Sequence, residues 1–396
     1  DYYASRGLGD VYKRQKQMNG ARVFEDAYSG VFREQEDFFS CLHEILGKSL
    51  WIRQKVRNLR LVPIIAGSTF EKELRSQYTE DGMDDGIITD TIANTALMLK
   101  YRGDMLPVRD CAIKSILDRA GIQGSGLRRV ERNVYARILN DVLKVTKGEA
   151  LLRISEGKVS AVLSGDCNDY AILNMEDIFL HTVQYLQEEF EGCRYMAGFY
   201  EHDMVSAMWS IDESGLLSAY SRELSLLGKT AEDMIPMVRV TTSDTGTCGA
   251  NIYPMLLNVK DGKSVNLGSP LKLVHKNGST MADYDAQLKK LYAKYQLAIG
   301  KLTELLEVRI ANPVNCMSEV MAKLVIPKKY QAEALDLFKA QYDVWSCTAH
   351  DIYFAISEIL FMLECEGASG SRIAKMEEQI ARALSMNWAE YDFPEM

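Results

Sequence analysis

Proline and histidine are scarce in this chain: of its 396 residues, 8 are proline and 5 are histidine. So few prolines leave no Pro-rich linker, and the histidines show no zinc-ligand spacing beside the cysteines. The cysteines are Cys41, Cys111, Cys167, Cys193, Cys248, Cys316, Cys347 and Cys365, with no Cys-x-x-Cys among them. Cysteines so dispersed in a chain this long are expected as free thiols of a reducing cytosol, not as a disulfide framework. Nowhere is there a run of the roughly 20 apolar residues that cross a bilayer. The most apolar stretch, residues 352–363, carries Glu358 and is expected to be a buried helix. No secretory pattern is visible, so a cytoplasmic chain with no membrane partner is expected. A Walker A loop, Gly-x-Gly-x-x-Gly, His-Glu-x-x-His and Gly-x-Ser-x-Gly are all missing, so no cofactor is expected.

What remains is ordinary for a folded chain: 47% hydrophobic and 26% charged residues, with a net charge of −9. The negative total opposes indiscriminate binding to nucleic acid or anionic lipid, yet it leaves room for a local basic face. Asp10 to Gln15 read Asp-Val-Tyr-Lys-Arg-Gln, which resembles a translated sequencing-adapter end. Residues 1–15 are therefore expected to carry no fold information, with Met18 as a candidate start and an environmental source.

Periodicity predicts a helix over residues 31–46, then a basic segment (Arg53, Lys55, Arg57, Arg60) running into a strand at 61–65. Residues 78–86 read as an exposed loop, 89–101 as helix or strand, and 110–120 as a helix capped by Asp110. Over 128–147, Val130, Val134, Tyr135, Ile138, Val142 and Val145 fall in one sector. Arg128, Arg129, Arg132, Arg137, Lys144 and Lys147 fall opposite. Hairpins are expected around Glu156-Gly157, around His202-Asp203 and across residues 243–249, with a further strand at 270–275. Beyond 280 the pattern is helical, and Tyr284, Leu288, Leu291, Tyr295, Ala298, Leu302 and Leu305 follow a four-three seam. The expected class is α+β: mostly antiparallel sheet with helices in the first two thirds, then a helical C-terminal third. The expected divisions are a mostly helical region at 16–148, a strand-rich core at 149–280 and a docked helical region at 281–396.

Four features could carry chemistry. Asp166, Asp169 and Glu176 are oxygen ligands that could hold a divalent metal, or they could mark a polar turn with Asn174 or Asp177 capping the next helix. Ser243, Asp244, Cys248, His275 and Asn277 place a thiol, an imidazole and a carboxylate in nearby segments, as a nucleophilic cysteine would require. His350-Asp351, inside an apolar pattern, reads as a polar face or a local cap rather than as a ligand. The basic stripe at 128–147 could track a nucleic-acid backbone, or be a solvated helix face. Tyr195, Tyr200 and Trp209 could stack bases or belong to the core.

The run Val238 to Pro254, Val-Arg-Val-Thr-Thr-Ser-Asp-Thr-Gly-Thr-Cys-Gly-Ala-Asn-Ile-Tyr-Pro, resembles a central segment of the phage/plasmid-like proteins grouped as domain of unknown function 932. So do Gly268 to Gly278, Thr348 to Tyr353 and, with extra residues, Val162 to Tyr170. The resemblance covers roughly residues 150–390. It implies a setting among bacterial prophages, plasmids and other mobile elements, and it assigns no catalytic residue. With the basic segments, it leads to the expectation of a non-enzymatic accessory protein contacting DNA, single-stranded or recombining. The alternatives are an interaction module for phage, plasmid or host proteins that docks through residues 284–305, and a metal-dependent nuclease or cysteine hydrolase.

Overall fold

The computed structural model describes residues 21–394 except 125, 167, 168, 214, 232, 261, 263, 277 and 342–346. The expectations for residues 1–15, Met18, Cys167 and Asn277 lie outside the described residues. The local turn at Glu156 and Gly157, with φ of 50° and 73°, has the left-handed backbone that matches the twist of a hairpin. It joins β6 (Glu149–Ser155) to β7 (Lys158–Ser164), and β2 (Ser49–Lys55) pairs with β6 to complete a three-stranded antiparallel sheet. A second sheet holds β3 (Arg60–Pro63), β4 (Leu97–Tyr101) and β5 (Asp104–Pro107), again antiparallel.

The largest sheet runs in the order β1 (Ser29–Phe32), β8 (Gly192–Glu201), β9 (Met204–Asp212), β10 (Met234–Thr242), β11 (Ala250–Asn258) and β12 (Ser264–Asn266). Strand β13 (Leu271–Leu273) also pairs with β11. Helices α1 (Gln35–Gly47), α2 (Thr69–Glu80), α3 (Gly86–Asn94), α4 (Ala112–Arg119), α5 (Arg132–Val145), α6 (Met175–Glu189) and α7 (Ser218–Leu226) alternate with these strands. From Met281 onward the chain is helical: α8 (Met281–Leu288), α9 (Leu291–Glu307), α10 (Pro313–Lys323), α11 (Lys328–Gln341), α12 (Ala349–Cys365) and α13 (Gly370–Ala381). This is the expected α+β class.

The departures from expectation have local causes. Residues 31 and 32, expected as the start of a helix, belong to β1 instead, because β8 offers them a strand partner and tertiary pairing outweighs local propensity. The ambiguous segment 89–101 is both helix and strand, divided at Ala96, whose φ of 52° neither element accepts. Asp110 does not cap α4: Cys111 takes the N-cap position, and the Asp110 N–H donates to Asp26 Oδ2 at 2.7 Å. Residues 16–148, expected to be mostly helical, contain β1 to β5, and β2 pairs with β6 across the boundary expected at 148.

Two large hydrophobic cores result. One fills the space between the large sheet, α1, α6 and the C-terminal helices, around Phe38, Trp209, Val240, Tyr295 and Ile356. The other lies between the three-stranded sheets and α4 and α5, around Leu61, Leu99, Leu139, Leu152 and Val162. Strand alternation gives β3 and β4 a second apolar face, where Met98 packs with Ile64, Leu74 and Ile88. Residues 49–165 thus form a lobe with its own core, framed in sequence by parts of the large sheet's body.

The lobe is tied to that body by charge and hydrogen bonds. Asp26 Oδ1 accepts from Lys158 Nζ at 2.6 Å and from an Arg109 guanidinium nitrogen at 3.2 Å, and Lys158 also donates to Asp90. The Lys158, Arg109 and Asp26 side chains are 0%, 1% and 6% exposed. Beside them His202 Nε2 bonds the Glu25 carbonyl at 2.9 Å, and burial first, then Arg109, lowers its pKa to about 3. On the C-terminal side Arg239 of β10 makes a forked pair with Glu377 of α13, and its guanidinium lies 4.6 Å from the centre of the Tyr253 ring.

Candidate nucleic-acid interface

Helix α5 begins at the Glu131 cap, whose carboxylate accepts from the Asn133 N–H at 3.3 Å. Its buried face is Tyr135, Ala136, Leu139 and Leu143, rotated from the expected sector, and Val145 is 75% exposed. The rotation follows from what the helix packs against. Asn140 lies on the open edge of β3, where its Oδ1 accepts from the Leu61 N–H and its Nδ2 donates to the Leu61 carbonyl, both at 2.7 Å. One side-chain amide therefore occupies the place of a missing strand. Asn140→Leu should lower unfolding stability by about 1–3 kcal/mol, because both Leu61 groups lose their partner. Urea titration reads this, and a loss below about 0.5 kcal/mol would mean that water replaces the amide.

That clamp determines which cations meet. Residues three and four apart share a helix face, so Arg137 and Lys144 flank Asn140 and stand beside β3. Arg57, on the turn before β3, is exposed there, whereas Arg60 and Lys100, opposite each other on β3 and β4, share strand parity with Val62 and Met98 and so lie on the sheet face turned away from α5. Like charges opposite each other on a sheet are destabilising, yet both remain. All five cations are exposed, and among the described residues none is held in an ion pair. One acid, the exposed Asp141, stands on the same helix face.

The expected basic stripe is redistributed. Arg137 and Lys144 belong to this face, whereas Arg129 and Lys147 are exposed on either side of the helix proper. Arg128 lies on the short turn Gly126–Arg129, and its side chain is outside the described set. Arg132 is half-buried and engaged with its own lobe: it donates to the Asn94 carbonyl at 3.5 Å, and its guanidinium lies 5.6 Å from the centre of the Tyr135 ring. Asn140 was missed because an amide in a helix announces no strand partner. Both basic segments were visible, but not their meeting.

The polar candidates serve the junction between lobe and body. Asp244 accepts from Arg153 Nε, and that guanidinium lies 5.3 Å from the centre of the Trp51 ring. Trp51 adjoins Tyr170, which stacks on His275 at 5.3 Å and donates to the Ser243 carbonyl at 3.3 Å. Ser243 Oγ accepts from the N–H groups of Thr245 and Thr247 at 3.1 and 3.3 Å. Gly246, with φ of 79°, leaves space that a Cβ would close to 2.9 Å from Leu163 of the lobe.

The candidate cysteine–histidine pair does not form. The His275 Nδ1 faces the Ala171 carbonyl at 3.1 Å and its Nε2 faces Thr242 Oγ1 at 3.4 Å. Burial pushes the Cys248 thiol up to about 12, opposite to what a nucleophilic thiolate needs. The three carboxylates are likewise separated. Asp166 accepts from the Glu149 N–H at 2.9 Å, Asp169 accepts from Ser164 Oγ at 2.5 Å, and Glu176 faces His43 at 3.4 Å. Among the described residues no cluster of His, Cys, Asp or Glu could hold a metal ion. Asn174, not Asp177, caps α6 by accepting from the Glu176 N–H at 2.9 Å.

His350 and Asp351 are a helix start, as expected: Thr348 and Asp351 form a capping box, and His350 Nε2 bonds the Tyr220 hydroxyl at 2.7 Å. Trp209 and Tyr200 are 1% and 3% exposed, and Tyr195 packs beside them with its hydroxyl on the Phe32 carbonyl. None of the three is available to a base. The seam from Tyr284 to Leu305 is buried at every position, and it is broken into α8 and α9 at Lys289 and Lys290, so it leaves no face for a partner. No helix among the described residues is long and apolar enough to cross a membrane. Compared with known proteins, the chain matches no family model, no curated protein and no solved structure.

Proposed function

We propose that this chain is an accessory protein that contacts DNA through the phosphates, using Arg137 and Lys144 of α5 with Arg57 on the adjoining turn. The observation that carries this reading is the meeting of two basic segments, distant in sequence, around the Asn140–Leu61 clamp. On a chain of net charge −9, the exposed Arg57, Arg137 and Lys144 make a local field opposite in sign to the whole, tempered by Asp141 on the same helix face. The likeness of the central segments to phage/plasmid-like proteins favours a role beside a mobile element.

The test is fluorescence anisotropy with labelled DNA over a salt series. The triple variant Arg57→Glu, Arg137→Glu, Lys144→Glu should bind at least about tenfold more weakly. Its log–log salt slope should be shallower by about 2–3, since each phosphate contact contributes about 0.9. Saturable binding that ignores the triple change would place the contact elsewhere. Absence of binding even at low salt would end the DNA reading.

A further inference from the structure

We infer that the outer edge of β2 is a docking site for an extended acidic segment of another protein, which joins the lobe as an added strand. The inference is independent of the DNA reading above. β2 is the end strand of its sheet, which runs in the order β2, β6, β7. The Val56 N–H donates to the Gly148 carbonyl at 3.1 Å, one step beyond the facing residues Lys55 and Glu149. Bonded and unbonded pairs alternate along an antiparallel ladder, so Leu50, Ile52 and Gln54 are the residues that bond to β6. The N–H groups of Trp51, Arg53 and Lys55, and the C=O groups of Trp51 and Arg53, point the other way. Among the described residues no backbone group pairs with them.

The side chains define the strand that fits. Arg53, which also donates to the Gly165 carbonyl, and Lys55 are exposed on one face of β2. Glu149, across from Lys55, is the only acid that β6 sets opposite β2. On the other face Leu50 is 50% exposed, Ile52 packs only in part against the lobe core, and Gln54 Nε2 is buried without a partner. An added strand alternates in the same way, with carboxylates beside Arg53 and Lys55 and apolar side chains beside Leu50 and Ile52. A second copy of this chain fits less well, because it gathers both copies' Arg53 and Lys55 along one seam. Charged side chains on an edge discourage such self-pairing, and the same charges admit an acidic partner. Lys55 also offers a clean probe of the edge. Its φ of −65° is the value that proline imposes, so proline there removes one outward N–H and leaves the backbone as it is.

The experiment titrates the full chain into two labelled peptides of about ten residues, one alternating glutamate with valine and one alternating lysine with valine. The acidic peptide should bind at least about tenfold tighter than the basic one. Lys55→Gln removes one charge and should weaken the acidic peptide about threefold. Lys55→Pro removes the charge and the N–H together and should weaken it at least about tenfold. Urea midpoints establish that both variants fold as the parent does. Hydrogen exchange on the unaltered chain reads the edge directly. The amides of Trp51, Arg53 and Lys55 should exchange fast beside slow Leu50, Ile52 and Gln54, and the acidic peptide should slow them. Slow exchange at Arg53 without peptide, or equal or absent binding of the two peptides, would overturn the inference. Equal losses in Lys55→Pro and Lys55→Gln would do the same, because they reduce the contact to charge alone.

Discussion

Asp26→Asn is expected to cost about 3–5 kcal/mol of unfolding free energy, although the side chain keeps its size and shape. The reason lies in what it leaves behind. Lys158 and Arg109, 0% and 1% exposed, share the Asp26 carboxylate and have Asp90 as the remaining acid of the cluster. Removing one charge from a buried pair forfeits the attraction and strands the partners' charge away from water. Replacing both members by apolar groups of similar volume is far less costly. Lys158→Met should therefore recover part of the loss in the Asp26→Asn background, and a double-mutant cycle by urea unfolding isolates that coupling. A loss below about 1 kcal/mol for Asp26→Asn alone would show that water reaches Lys158 and that the cluster is not a dry clamp.

Stability should also fall as pH rises through neutrality, and Glu364→Gln should abolish that fall. Glu364, near the end of α12, is pushed up from 4.5 to about 7, by burial first and by the neighbouring Glu377 second, with Arg239 opposing. Two carboxylates here share one guanidinium, and Glu377 already takes it in a forked pair. Because the folded value lies above the unfolded one, the folded state holds the proton more tightly. The resulting stabilisation is complete below about pH 4.5 and is lost as pH rises through about 7. Its size is on the order of 3 kcal/mol at most.

The glutamine mimics the protonated form, so the variant should match the parent near about pH 5 and exceed it near about pH 9. Burial lowers the pKa of His202, His275 and His350, which makes stability rise with pH across the acid range. The informative quantity is accordingly the difference between variant and parent at each pH. Parallel profiles would sink the assignment of the proton to Glu364.

Local chemistry was legible where it is decided locally. The Glu156-Gly157 hairpin needs two residues that accept positive φ, and the sequence shows them side by side. The helices after residue 280 announce themselves by apolar spacing and by Thr280 and Thr348, each with an aspartate three residues later. β1 was hidden because its partner β8 is far along the chain. The face of α5 was misplaced because periodicity weighs hydrophobicity. It cannot know that Arg132 finds a carbonyl and an aromatic ring inside the lobe while Val145 meets water. The segment 243–249 was recognisable as unusually polar, and its partners Arg153 and Tyr170 explain why, but spacing says nothing about pairing across lobes.

The order of the chain has a consequence for how this molecule is made. β1 pairs with β8, and the whole lobe, residues 49–165, lies between them. On the ribosome β1 emerges ahead of the lobe and must wait while everything up to Glu201 is translated, on the order of ten seconds or more at about 5–20 residues per second. The lobe's strands pair with one another and close its own core in that interval. The nascent chain therefore carries a finished lobe behind an unpaired strand, a vacant edge of the kind that recruits other chains. Closing so long a loop comes late and slowly, so β1 is seated well after the lobe that follows it in sequence has closed, and that interval is the stage most dependent on chaperones.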